Sequence, residues 1–382
     1  ILLLSNYRED KQKSMIRFGN LLASGVPNYG AKVTEVFPKS KIQKFCFGSK
    51  LRKLSGYIDK YIIFQKKIDS LFKRNAFDLI HIVDHSNSIY LPQLSRLSKT
   101  PKLATCHDMI AIRSASGEFP TAPTISYKGK QLQRYIEKSL KHSDYFACDS
   151  LQTRSDLNKR VPASRHSSKV IHLGVGKLNS KNFIHNKNLG FDLRDTNYLL
   201  HVGSDSWYKN RKGVLEAFKF CTKSKNNIFQ KLVFVGPRIK PHELSSELNN
   251  WIKINNDKLI FLPDISESEL QSLYKHASLL IFPSFIEGFG WPPLEAHANS
   301  CPSVTTKTGA IFEILKDDAI YINPNNQDEL NLAVEYNLRN DYQFTKLLPT
   351  NDECSKNYAL LYDRIIKRSN NFKRNGFHNL FN

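Results

Sequence analysis

The chain has no apolar run approaching the roughly 18–20 residues that a membrane-spanning helix needs. Its greasiest stretches, such as Ser278 to Phe285, are only strand-sized, so nothing in it is expected to cross a bilayer. Six cysteines (Cys46, Cys106, Cys148, Cys221, Cys301 and Cys354) stand without C-x-x-C spacing or paired histidines, which excludes a disulfide scaffold and the common zinc modules. Reduced thiols in a cytoplasmic compartment are expected. A D-x-D run and a cluster of metal ligands are missing as well, so no metal and no resident cofactor is expected. The basic half contains no zinc finger, no RRM signature and no glycine–arginine tract, which sets nucleic acid aside as a partner. Internal repeats and long low-complexity tracts are absent too.

What is present is a chain of 382 residues, 40% hydrophobic and 24% charged. That is too long for one compact core and apolar enough for two. The net charge of +21 is unevenly spread: residues 1 to 190 hold 33 Lys and Arg against 13 Asp and Glu, and residues 191 to 382 hold 23 against 22. A basic half and a near-neutral half imply two domains with different partners, the basic one meeting an anionic surface.

Short β-rich runs alternate with polar stretches of helical period, the pattern of parallel strands covered by helices. In the first half they lie near Ile1-Ser5, Lys32-Phe37, Asp78-Val83, Lys102-Cys106, Tyr145-Cys148 and Val170-Leu173. In the second they lie near Tyr198-Val202, Lys231-Val235, Leu259-Leu262, Leu279-Phe282, Ser303-Thr305 and Ala319-Ile322. Each half is therefore expected to be a doubly wound α/β domain, over 1–180 and 197–350, with Gly176 to Asn197 as the linker. Ligands of such sheets collect at the carboxyl ends of strands.

One strand end stands out. After Leu279-Phe282 comes Pro283-Ser-Phe-Ile-Glu287-Gly288-Phe289-Gly290-Trp-Pro-Pro-Leu294-Glu295, leading into a helix. Gly288 and Gly290 let backbone amides approach a ligand, Pro292 and Pro293 suit a helix start, and the helix N-terminus offers N–H groups to a phosphate. Glu295, in the first turn, is placed to accept from a ribose diol, and Glu287 is placed to hold sugar hydroxyls. The plain alternative is that Glu295 complements the helix dipole and the glycines make a turn.

These residues resemble the E-x7-E signature of the group 1 glycosyltransferases, glycosyltransferase family 4, which are retaining enzymes of the GT-B fold. The resemblance extends over roughly residues 197 to 330. His201-Val-Gly203-Ser-Asp-Ser-Trp-Tyr-Lys209-Asn210 is similar to the family's phosphate loop, Leu270-x-x-Leu-Tyr-x-x-Ala277 to the helix before the signature, and Pro302-Ser-Val-Thr-Thr with Gly309 and Glu313 to the strand and loop after it. The resemblance implies two Rossmann-like domains facing across a cleft, with a final segment over 351–382 crossing back to the first domain. It also implies a donor-binding set of Gly203, Lys209, Arg211, Glu287, Gly288, Phe289, Gly290, Leu294 and Glu295. In that set Glu295 holds the ribose, Glu287 and the amides around Phe289 and Gly290 touch the sugar, and Lys209 meets the diphosphate. Where the family has an arginine before the lysine, this chain has Tyr208, with Arg211 and Lys212 downstream as the available second cation. Read plainly, Lys209 is a solvated surface lysine.

In the first half, Ser5-Asn-Tyr-Arg-Glu-Asp10-Lys-Gln-Lys-Ser14 contains none of the glycines the family has after its first strand, and Asp10 and Ser14 read as helix caps. His107-Asp108 follows a strand and resembles the His-Asp pair that some subfamilies place beside the donor sugar, which would make His107 catalytic together with Glu287 and Lys209. The other reading is a pair that orients the loop. Asp149-Ser150-x-x-Thr153 reads as an N-cap.

The resemblance thus implies a retaining hexosyltransferase that takes mannose from GDP-mannose and adds it to a saccharide or lipid-linked saccharide. The basic half would sit peripherally on an anionic membrane at its cytoplasmic face. The alternatives are a UDP-sugar transferase of the same family, a GT-B epimerase or phosphorylase and, more remotely, a nucleic-acid-binding protein.

Overall fold

A computed structural model of the chain describes all residues except 47, 176–190, 226, 337–341, 343 and 379–382. Most of the expected linker over 176–197 lies outside the described residues. By its contacts the chain divides into two compact units, one made of residues 1–120, 124–174 and 351–382, the other of 121–123 and 175–350.

The first unit is built on a six-stranded parallel sheet of β1 (Leu2–Leu4), β2 (Thr34–Val36), β3 (Ile80–Ile82), β4 (Lys102–Cys106), β5 (Tyr145–Cys148) and β6 (Ser168–Val170), in the order β2-β1-β3-β4-β5-β6. Its central strands are apolar on both faces because helices cover both sides. Leu2, Leu4, Ile80, Ile82, Ala104 and Phe146 are essentially unexposed. The order reverses between β1 and β3, and there the side chains at the strand ends are polar and mutually bonded: Asn6 Nδ2 donates to Asp84 Oδ2 at 2.6 Å, and Asn87 Nδ2 donates to Asn6 Oδ1 at 2.9 Å. The helix Asn351–His378 belongs to this unit. Tyr362 and Tyr358 are buried on it, with the Tyr362 hydroxyl 2.7 Å from His81 Nδ1 and the Tyr358 hydroxyl 3.1 Å from Thr105 Oγ1.

The second unit repeats the plan with β7 (Tyr198–Val202), β8 (Lys231–Val235), β9 (Leu259–Leu262), β10 (Leu279–Phe282), β11 (Ser303–Thr305) and β12 (Ile320–Tyr321), ordered β12-β11-β10-β7-β8-β9 and parallel throughout. The switch point, where ligands bind doubly wound sheets, falls between β7 and β10. Val214, Leu215, Phe218, Phe234, Ile281 and Val334 fill its core; truncating one such Leu or Phe to Ala costs about 2–5 kcal/mol.

Strands β4, β5 and β7 to β11 have the bounds that the sequence predicts. β6 does not: expected near Val170-Leu173, it ends at Val170 because its neighbour β5 ends at Cys148, the residue with which Val170 is paired. Neither Asp10 nor Ser14 caps the first long helix, Lys13–Gly25, whose N-cap is Gln12. Asp10 pairs with Lys60 at 2.9 Å instead.

Candidate functional site

The two loops that leave the carboxyl ends of β7 and β10 are adjacent because their strands pair, Leu199 against Leu279 and Leu200 against Leu280. From β7 the chain runs through Gly203 into a short 3-10 turn, Trp207–Lys209, and then to Asn210 in the left-handed region (φ 49°). The Asn210 side chain caps the following helix, Arg211–Cys221, by accepting from Gly213 N at 3.2 Å. This cap turns the chain sharply and fixes where Lys209 and Arg211 leave the backbone.

The β10 loop carries Glu287 to Gly290. Gly290 is the N-cap of the helix Trp291–Ala298 with φ 87°, and a Cβ there would lie 2.4 Å from Ile311 Cγ1, so only glycine fits. Pro292 and Pro293 occupy two of the first three positions of that helix, as the sequence suggests. They also remove two of the N–H groups that a helix end would present to an anion. Glu295 is the fifth residue of the helix, one position beyond the first turn where the sequence had placed it. Its Oε2 accepts from the Tyr274 hydroxyl at 3.1 Å. Leu294 is fully buried and Phe289 nearly so.

Backbone and side-chain bonds lock the two loops together. Phe285 N donates to Tyr208 O at 2.8 Å, and Lys209 Nζ donates to Glu287 Oε1 at 2.7 Å. The Lys209 and Glu287 side chains are 13% and 8% exposed, so this is an ion pair largely out of water rather than a solvated lysine. Glu287 N donates to Thr308 Oγ1 at 3.0 Å and Ala310 N to Phe289 O at 3.1 Å, which ties in the loop after β11. Tyr208, in the place of the expected arginine, sets its ring 5.3 Å from the Lys209 ammonium, and the Phe282 ring lies 4.8 Å from it.

Arg211 and Lys212 differ sharply. Lys212 is exposed and lies 3.7 Å from Glu216 on its own helix. Arg211 is 6% exposed, lies over the Phe234 ring at 5.0 Å and donates from Nη2 to Pro237 O at 2.5 Å. Its Nε and Nη1 are buried with no partner among the described residues. Burial lowers its pKa, against the opposing pull of Asp205 and Glu243. His201, at the end of β7, has its Nδ1 2.9 Å from Ile281 O, and its pKa is lowered to about 3, first by burial and then by the Arg211 and Lys209 charges. Neutral at physiological pH, it donates from Nδ1 and leaves Nε2 as a buried acceptor. A Cβ on Gly203 would lie 3.1 Å from that nitrogen. Two cations, a neutral histidine and the Glu287 carboxylate thus gather where the β7 and β10 loops leave the switch point, and Glu295 follows on the helix that the β10 loop enters, an arrangement suited to a ligand that is anionic at one end and rich in hydroxyls at the other.

His107 lies in the first unit. Its sequence neighbour is not its partner: Nδ1 lies 2.6 Å from Asp149 Oδ2 and Nε2 lies 2.9 Å from Val83 O, while Asp108 accepts from Ile110 N. Burial alone would lower its pKa. The Asp149 carboxylate, with Asp84 nearby and the Val83 carbonyl, outweighs this and raises it to about 9. His107 is therefore a buried imidazolium with both N–H groups engaged. Ser150 caps the helix Leu151–Arg160, as expected. Asp149, given no role on sequence grounds, is the side chain that holds His107.

Sequence reasoning passed over Thr308 and gave Tyr274 and His201, which stand in motifs quoted above, no role of their own. Tyr274 lies within the helix that precedes the signature, and its spacing looks like core. Thr308 sits beside Gly309 after β11, a strand-end position that was itself the available signal.

Among the described residues no helix is long and apolar enough to cross a membrane, and none of their His, Cys, Asp and Glu side chains form a group of three able to hold a metal. The sequence pattern of the family described as Glycosyl transferases group 1 matches residues 185–358, and that of Glycosyltransferase Family 4 matches residues 37–176. The O-antigen chain mannosyltransferase RfbU of Salmonella typhimurium is 27% identical over 200 residues, which is 52% of each chain. This chain therefore spans about half the length of that relative. The O-antigen chain mannosyltransferase B of Escherichia coli is 24% identical over 305 residues, 76% of this chain and 73% of that one. Among solved structures, the sucrose-phosphate synthase of Thermosynechococcus elongatus superposes with a TM-score of 0.66 at 16% identity, covering 99% of both chains. Anabaena HepE in complex with UDP-glucose superposes with a TM-score of 0.64 at 15% identity, covering 96% of this chain and 98% of that one. With one family pattern on each half of the chain and a doubly wound parallel sheet in each unit, this chain belongs to the group 1 glycosyltransferases of the GT-B fold.

Proposed function

We propose that the chain transfers mannose from GDP-mannose, with retention of configuration, to a saccharide or lipid-linked saccharide in O-antigen-type polysaccharide synthesis. The observation that carries the donor reading is the Lys209–Glu287 ion pair between the two switch-point loops, with the buried, unpartnered donors of Arg211 at the start of the helix after one loop and Glu295 on the helix after the other. The choice of mannose is supported by the two relatives named as O-antigen mannosyltransferases.

In this reading Glu295, oriented by Tyr274, accepts hydrogen bonds from the ribose diol. The diphosphate draws Lys209 away from Glu287 and takes the two unpartnered N–H groups of Arg211, which replaces the arginine missing at Tyr208. Gly203 lets the β7 loop pass close to the phosphates. The amides of Gly288, Phe289 and Gly290, on a loop that Leu294 and Phe289 anchor in the core, serve the departing diphosphate. Stabilising that charge in a site of low dielectric is the largest catalytic contribution of such a pocket. Glu287, released from Lys209, holds the sugar hydroxyls. In the first unit His107 has neither ring nitrogen available as a base, so the catalytic role proposed for it is that of a fixed positive charge.

The basic first unit is assigned the acceptor, presented at an anionic membrane on its cytoplasmic face. Incubation with radiolabelled GDP-mannose, UDP-glucose and ADP-glucose, with and without a lipid-linked acceptor, tests the proposal. GDP-mannose alone should label the acceptor, and NMR of the product should show the donor's anomeric configuration. Labelling from UDP-glucose would instead select the UDP-sugar reading. Conversion of the donor to an epimeric sugar without an acceptor would select an epimerase, and a sugar phosphate formed from a saccharide and inorganic phosphate would select a phosphorylase.

A further inference from the structure

We propose that the stretches Lys39–Cys46 and Leu51–Leu54 form a membrane-docking surface that inserts Phe45, Leu51 and Leu54 among anionic lipids. This rests on the reading that the acceptor is presented at a membrane, and it names the face that meets it.

The segment is unusual in charge and in apolar exposure at once. Between Glu35 and Asp59 there is no acidic residue, and Lys39, Lys41, Lys44, Lys50, Arg52 and Lys53 fall in that interval. Within it Phe45 is 71% exposed, Leu51 and Leu54 are each 59% exposed, and Ile42 is 37% exposed. Single exposed leucines need no explanation, but several large apolar side chains interleaved with cations on one short stretch do.

The stretch is held firmly from beneath. Asp59 is 1% exposed and accepts from the backbone N–H groups of Lys41, Ile42 and Gln43 at 3.0–3.3 Å. Gln43 Nε2 reaches Arg52 O at 3.0 Å, joining the 3-10 turn Gln43–Phe45 to the helix Ser49–Ile58. In that helix Ser55 and Gly56 face inward, whereas Leu51, Arg52, Lys53 and Leu54 face water. A Cβ on Gly56 would lie 3.0 Å from Gln43 Nε2, so turn and helix are closely packed. Lys44 Nζ lies 4.7 Å from the Phe45 ring, leaving the charge beside the apolar tip. Besides the buried Asp59, the acid seen to reach the patch among the described residues is Glu9, at 3.9 Å from Arg52.

Of the polyanions that a basic face attracts, a bilayer rewards the exposed Leu51 and Leu54 as well as Phe45, whereas single-stranded bases stack on Phe alone. Nucleic-acid phosphates gain nothing from leucine, whereas apolar side chains seated below a cationic rim are the signature of an interfacial anchor. Each basic residue near an anionic lipid surface is worth about a fivefold gain in affinity, and burial of Phe45, Leu51 and Leu54 adds to it.

Sedimentation of the full chain with phosphatidylcholine vesicles, with and without an equal part of phosphatidylglycerol, reads this directly. The chain should co-sediment with the anionic vesicles only, and less so at high salt. The double variant Leu51→Ser, Leu54→Ser and the variant Arg52→Gln, Lys53→Gln should each bind about tenfold or more weakly, with transfer to a soluble saccharide acceptor unchanged. Tryptophan emission from Phe45→Trp should shift to the blue on anionic vesicles, which keeps the test open if a multiple variant folds poorly. If the native chain ignores both vesicle types, or if RNA competes its binding away while Phe45→Trp stays unshifted, membrane docking fails. If the native chain binds and the variants bind equally well, the docking face lies elsewhere. Transfer to the soluble acceptor, measured alongside, reports on the enzyme reading independently of either result.

Discussion

Lys209 Nζ donates to Glu287 Oε1 at 2.7 Å, so the loop after β7 and the loop after β10 are joined by an ion pair nearly withdrawn from water. The two residues are 78 positions apart in the chain, and the proposed function gives each a separate task toward a nucleotide-sugar.

That pairing makes the two side chains energetically coupled. Lys209→Met leaves Glu287 as a buried carboxylate with its cation removed, and unfolding in urea should show a loss of about 3 kcal/mol. The double variant Lys209→Met, Glu287→Gln should recover much of that loss, because no charge is then left stranded. Transfer activity should stay lost in both. Equal, additive losses of stability would show that the pair is not coupled.

The second cation is assigned by burial. Arg211→Gln removes two buried donors that have no protein partner among the described residues, and kcat/KM should fall by about a hundredfold or more. Lys212→Ala, at an exposed position on the same helix turn, should change kcat/KM less than twofold. The reverse ranking would move the diphosphate contact to Lys212.

His107 gives the stability of the first unit an alkaline limb. Its folded pKa, about 9, lies above the value near 6.5 of an unperturbed imidazole. Its contribution is therefore complete below about pH 6.5 and is lost as pH rises through 9. Thermal melts of wild type and His107→Gln across this window should converge as pH rises. Curves that stay parallel would mean that Asp149 does not hold the histidine charged.

The sheets could be read from the sequence because buried parallel strands are nearly continuous apolar runs, as in Leu279-Leu-Ile-Phe282. The loop at Gly290 could be read because its positive φ and the Ile311 side chain against it demand glycine. Pairings made by tertiary contact could not be read. Nothing next to His107 in sequence announces Asp149, 42 residues away, and the adjacent Asp108 was the natural but mistaken partner. Lys209 and Glu287 were each assigned a ligand, yet their bond to each other depends on β7 and β10 being neighbours. That adjacency is a property of strand order, which local pattern does not carry. The difference between Arg211 and Lys212 is likewise one of helix face: one residue's rotation places the first against Phe234 and the second in water.

The central claim, that the segment from Glu287 to Glu295 and the loop at Lys209 together hold a nucleotide-sugar, is tested most directly by calorimetric titration of GDP-mannose into wild type and Glu295→Ala. Wild type should bind, and removal of the ribose-holding carboxylate should weaken binding about tenfold or more. No binding to wild type by any of GDP-mannose, UDP-glucose or ADP-glucose, or an affinity unchanged in Glu295→Ala, would contradict it.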